Sequence, residues 1–160
     1  MITGKRTFVV TFAVCALALA TVATSQAVAQ VTYTTKLTSG PFFVAPTAVS
    51  VDWVLLNNDT VPVNVHVTVY NWILGEPKVV VAPGPFTLTL PPGQALHNAN
   101  SVGSVFHLGF IYEVVVEATS DRVHPNVNQW SCMGADCFIP GSLIPAGDFV
   151  EIKQPKPPKP

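Results

Sequence analysis

Reactive side chains are few in this chain and stand apart from one another. The four histidines, His66, His97, His107 and His124, occur singly, without the H-x-H or H-E-x-x-H spacing that gathers a metal ion on one element. The carboxylates Asp52, Asp59, Glu76, Glu113, Glu117, Asp121, Asp136 and Asp148 never form the D-x-D-x-D run with which a calcium loop concentrates oxygen ligands. Glu113 and Glu117 fall on one face of an extended segment, but four residues of strand hold them ~13 Å apart. A glycosidase pair needs ~5 to 10 Å, so both are expected on a solvated outer face. Ser101-Val102-Gly103-Ser104-Val105 sets glycine beside serine without the strand-to-helix elbow of a G-x-S-x-G nucleophile. The expectation is a protein that is not an enzyme, with no catalytic residue, no metal site and no cofactor. An enzyme here would need histidines and carboxylates brought together from different strands.

Binding chemistry is better represented. Tyr70 and Trp72 share one side of a long strand and could form a flat platform on which a pyranose ring stacks. The rival reading is packing at a sheet edge, because tryptophans are highly buried on average. Trp53, on an apolar face, belongs to the core, and Trp130 is placed to cover the open end of the domain. Cys132 and Cys137 are the pair left once Cys15 is assigned to a leader, and in an oxidising compartment they are expected to join. Four intervening residues exclude a C-x-x-C redox motif, and two cysteines alone make a poor zinc site. Closing so short a loop contributes less than the ~3 kcal/mol of a 15-residue loop, so its role is local shaping.

These residues must be positioned by strands. Val61, Val63, Val65, Val67 and Val69 alternate with Pro62, Asn64, His66, Thr68 and Tyr70, which only a period of two satisfies. A slip of one residue would turn the valines outward, so the pattern also fixes the faces and sends His66 to solvent. Val31 to Leu37, Val49 to Leu55, Lys78 to Ala82, Phe86 to Leu90, Val123 to Trp130 and Phe149 to Ile152 read as further strands, bounded by Gly, Pro and Asn clusters. Phe110 to Ala118 is a long central strand with Phe110, Tyr112, Val114 and Val116 inward. Residues 94 to 108 carry no decisive pattern and stay unassigned. No capped stretch with helical spacing occurs. The fold class is therefore all-β, a single antiparallel β-sandwich of seven to nine strands, with a small closed barrel as the rival.

Asn57-Asn58-Asp59-Thr60 leading into Val61 to Tyr70, then Leu90-Pro91-Pro92-Gly93-Gln94 and Tyr112-Glu113-Val114-Val115-Val116, resembles the immunoglobulin-like modules of bacterial secreted and surface proteins. The resemblance covers residues 47 to 119. It implies an immunoglobulin-like fold and an adhesive or architectural tendency, carries no catalytic residue with it, and does not reach the cysteine loop.

Compartment and partners follow from the ends and the charge. Lys5 and Arg6, the uncharged apolar run Thr7 to Ala23, and Ala27-Val28-Ala29 before Gln30 make residues 1–29 a signal peptide. Retention of the run as a membrane anchor is the alternative. Cys15 lacks the flanking residues of a lipoprotein signal. The Ala-x-Ala-Gln junction looks bacterial, so the sequon Asn58-Asp59-Thr60 is read as accidental. Residues 30–152 form one domain, and 153–160, rich in Pro and Lys, an extended solvated tail. Charged residues are only 11% of the chain, too few for a solvated disordered polymer. Of eight Lys and Arg two leave with the leader, so six face nine Asp and Glu, and no basic footprint for nucleic acid exists. The expected function is that of a non-enzymatic secreted or cell-surface structural or binding protein. Its partner would be itself or another envelope protein, with Val31 to Leu37 able to extend a neighbour's sheet, and the mature chain would have no transmembrane anchor. The alternative is a carbohydrate-binding module that holds a glycan on Tyr70 and Trp72.

Overall fold

The computed structural model describes residues 30–82, 84–101, 103–132 and 137–153. The signal peptide expected over residues 1–29 and the tail from residue 154 onward lie outside the described residues. Among the described residues ten strands are present: β1 (Thr35–Thr38), β2 (Phe42–Phe43), β3 (Ser50–Asn57), β4 (Val63–Trp72), β5 (Val79–Val80), β6 (Phe86–Leu90), β7 (Ala95–Ser101), β8 (Ile111–Ala118), β9 (Val123–Trp130) and β10 (Val150–Glu151). The larger sheet runs β10-β1-β8-β4-β5, with β2 also paired to β8 and β6 to β4; the smaller runs β7-β3-β9. Every pairing is antiparallel. Among the described residues helical backbone is confined to short turns such as Ala146–Asp148.

The valine alternation decides how the sheets meet. Val63, Val65 and Val67 of β4 and Tyr112, Val114 and Val116 of β8 are buried against Val51, Trp53 and Leu55 of β3. Each such side chain contributes roughly 1.5–3 kcal/mol by leaving water, so the register that keeps them inward is strongly favoured. Phe106 closes the core edge-on to the Tyr112 ring, with centroids 4.9 Å apart. The Tyr112 hydroxyl accepts the His107 N–H at 2.9 Å, and burial holds its pKa above the ordinary phenol value. The chain is thus all-β, with two antiparallel sheets over one core, compatible with a sandwich.

Several boundaries differ from the sequence reading, each for a local reason. β4 begins at Val63 because Pro62 has no N–H to give a ladder, and Val61 is exposed. The turn before it is organised by the buried Asn57, whose Nδ2 donates to the carbonyls of Val61, Leu90 and Pro91 and whose Oδ1 accepts the Asp59 N–H. Phe110 is exposed rather than inward; its N–H and carbonyl go to His107 and Val44, in a turn before β8 starts. The unassigned stretch holds β7, whose inward positions opposite Leu55, Trp53 and Val51 are Leu96, Asn98 and Asn100. Two polar residues on the core side erased its strand pattern. The segment expected at 31–37 is a strand only from Thr35, and β1 is paired on both sides within its own chain, to β8 and β10. It has no free edge to lend a neighbour.

Candidate functional site

The outer face of the larger sheet carries the side chains that alternate with the valines. Along β4 these are Asn64, His66, Thr68, Tyr70 and Trp72. The register with β8 sets Tyr70 opposite Glu113 and Trp72 opposite Ile111, and β2 sets Phe43 opposite Ile111 from the other side. Directly opposed residues share a face. The sheet therefore presents a row Phe43, Ile111, Trp72 across three strands, 52%, 36% and 38% exposed.

Glu113 does not lie on a solvated face as its sequence position suggested; it is 5% exposed. Three donors from three separate segments converge on its carboxylate. Thr38 Oγ1 donates to Oε1 at 2.6 Å, while Trp72 Nε1 and Lys78 Nζ donate to Oε2 at 3.0 and 2.8 Å. Burial pushes this carboxyl up, but the bonds from Lys78, Thr38 and Trp72 and the Lys78 charge outweigh it and leave its pKa below the ordinary value. The Lys78 ammonium also sits 4.3 Å from the Tyr70 ring centroid and 5.7 Å from that of Trp72, within cation–π range of both. One buried carboxylate thereby fixes the indole and the lysine that covers the phenol.

Beyond Trp72 the chain turns through Ile73-Leu74-Gly75-Glu76, with the Glu76 N–H bonded to the Ile73 carbonyl at 3.0 Å. Gly75 has φ +85°, a conformation that side-chain-bearing residues rarely adopt. Leu74 at the tip is 100% exposed, and Ile73 beside it is exposed as well. A shallow cavity of about 220 Å³ lies between this tip, Pro41 and Ile111.

No family model matches the chain. Nor does any curated protein match it in sequence. Two solved structures are similar in outline: the Thermotoga maritima 1070 protein, at 9% identity and TM-score 0.45 over 76% of this chain and 93% of that one, and the Anabaena sensory rhodopsin transducer, at 17% identity and TM-score 0.38 over 56% and 76%. Likenesses this distant carry no argument about function.

Tyr70 and Trp72, read from the sequence as neighbours on one face, are so placed, with Trp72 the more exposed and the Tyr70 face occupied by Lys78. Cys132 and Cys137 form the disulfide, their Cα atoms 5.2 Å apart. Trp130 packs edge-on to Phe138 beside that loop, at 5.8 Å between centroids. Among the described residues His97 is the one histidine that meets a carboxylate, its Nε2 lying 2.9 Å from Asp52 Oδ2, while His66 Nδ1 lies 2.9 Å from Thr87 Oγ1. No group of three or more His, Cys, Asp or Glu side chains gathers among the described residues. The sequence reading missed Phe43, Lys78, Ile111 and the buried role of Glu113. The register between β2, β8 and β4 brings Phe43, Ile111 and Glu113 to Trp72, the pairing of β5 with β4 brings Lys78, and register is not written in any one segment.

Proposed function

We propose that this chain is an exported, non-enzymatic binding protein of the cell surface or surroundings, acting through the outer face of its larger sheet. The observation that carries the reading is the exposed row Phe43, Ile111, Trp72, continued by Ile73 and Leu74. Folded monomers rarely leave contiguous apolar surface of more than roughly a few hundred Å² to water, and larger patches mark interaction sites. The carboxylate of Glu113 supports the same reading, because it holds the indole in one orientation before any partner arrives, which lowers the cost of ordering at contact. The partner best suited to such a surface is another folded protein, in the first instance a second copy of this chain. An immunoglobulin-like arrangement of the two sheets belongs to the same proposal, supported by their antiparallel pairing over a shared core.

Sedimentation of the exported chain over a wide concentration range tests this. Reversible association is expected, and Leu74→Asp together with Phe43→Ser should leave only monomer with an unchanged fold. A wild-type chain that stays monomeric throughout would remove self-association. The second reading is glycan binding on Trp72 with Tyr70, favoured by the exposed indole on a flat face. Retention on insoluble glycans that Trp72→Ala abolishes would select it.

A further inference from the structure

We infer that the cleft between the two sheets, along the side where β6 and β7 run, binds a small single-ring compound bearing one amide or hydroxyl group. Its floor is Trp53 with Val67 and Val69, its mouth is flanked by Phe86, and β7 contributes Asn98 and Asn100. The cavity measures about 140 Å³. An apolar cavity of ~150 Å³ accommodates benzene, so the part of a ligand held between the sheets is about one ring. Trp53 and Phe86 already stand edge-to-face, with centroids 6.0 Å apart, and a ring entering between the sheets meets two aromatic walls in the geometry that aromatic groups prefer.

The polar requirement comes from the two asparagines. They occupy inward positions of β7 opposite Trp53 and Val51, where a strand that only closed a core would carry apolar side chains. Asn100 Nδ2 donates to Asn98 Oδ1 at 2.7 Å. That bond leaves the Asn98 amide N–H and the Asn100 carbonyl oxygen without a partner among the described residues. Turning both amides exchanges their roles and still leaves one donor and one acceptor at the rim. An amide satisfies both, and a hydroxyl can do so with a single oxygen. Charged ligands are disfavoured, since none of the residues named here carries a charge to repay their desolvation. This site faces inward and shares no residue with the row around Trp72, so it stands or falls independently of the proposed contact surface.

Benzamide and toluene, titrated separately into the exported chain and followed by NMR at the Trp53 indole and the Asn98 and Asn100 side-chain amides, test the inference. Both should give saturable shifts at these groups, with benzamide about tenfold tighter for its added hydrogen bonds. Val69→Phe, which fills the floor, should abolish both titrations while the rest of the spectrum is retained. Asn98→Leu with Asn100→Leu should keep toluene binding and erase the preference for benzamide, which keeps the test decisive even where Val69→Phe does not fold. Absence of saturable shifts with either compound, shifts centred elsewhere, or a preference that survives the asparagine replacements would overturn it.

Discussion

Replacing Glu113 by Gln removes one charge from the outer face of the larger sheet while keeping the shape of the side chain. In the wild type Thr38, Trp72 and Lys78 all donate to the carboxylate, and hydrogen bonds to a charged acceptor contribute ~1.5–3 kcal/mol each, against ~1 for a neutral one. Glutamine accepts from Trp72 and Lys78 through its single oxygen and offers its amide to Thr38. Each bond weakens rather than breaks. Lys78 is about one-third exposed, so water discounts its share. The net loss is about 2 kcal/mol, or roughly 8 °C in melting temperature for a domain of this size. The pH dependence gives the reasoning its sign. Because the folded pKa of Glu113 lies below the ordinary value of 4.5, its contribution is present above that value and is lost as pH falls through the folded pKa. Urea unfolding of wild type and Glu113→Gln should therefore show a gap of about 2 kcal/mol at pH 7 that closes toward pH 2.5. A gap of the same size at both pH values, or none at pH 7, would refute the argument.

Three further outcomes follow from single features. Asn57→Ala strands the carbonyls of Val61, Leu90 and Pro91 and the Asp59 N–H around a fully buried site, and urea unfolding should report a loss of about 3 kcal/mol or more. Cys132→Ser with Cys137→Ser opens a loop with a sequence separation of only 5; the loss should stay below ~3 kcal/mol, and shift changes in NMR should be confined to residues near Trp130 and Phe138. Leu74→Asp touches a residue that is already wholly in water, so stability should change by less than ~0.5 kcal/mol while solubility at high concentration rises.

What the sequence made legible was the pattern that one strand carries by itself. β4 could be read, faces included, because its valines repeat every second residue, and the same alternation put Trp53 inside and Tyr70 beside Trp72. Properties held jointly by distant segments were not legible. Glu113 has an outward position on β8, and only its placement opposite Tyr70 and near Thr38 and Lys78 turns an expected solvent-facing carboxylate into a buried one. Phe43 and Ile111 join Trp72 by register alone. β7 escaped notice because its inward asparagines invert the usual polarity of a strand, and the turn ahead of Ile111 claimed Phe110 through backbone bonds that no side-chain pattern announces.

The pairing of β1 with β10 has a consequence for how the molecule is completed. Leu37 lies opposite Glu151 and the Ile152 N–H reaches the Lys36 carbonyl, while on its other side Lys36 lies opposite Glu117. Both flanks of β1 are thus joined across long stretches of intervening chain, and the entropy of closing such loops must be met before these ladders repay it. The pairing of β4 with β6 spans far less chain, so β1 is a strand that docks onto a sheet already laid down.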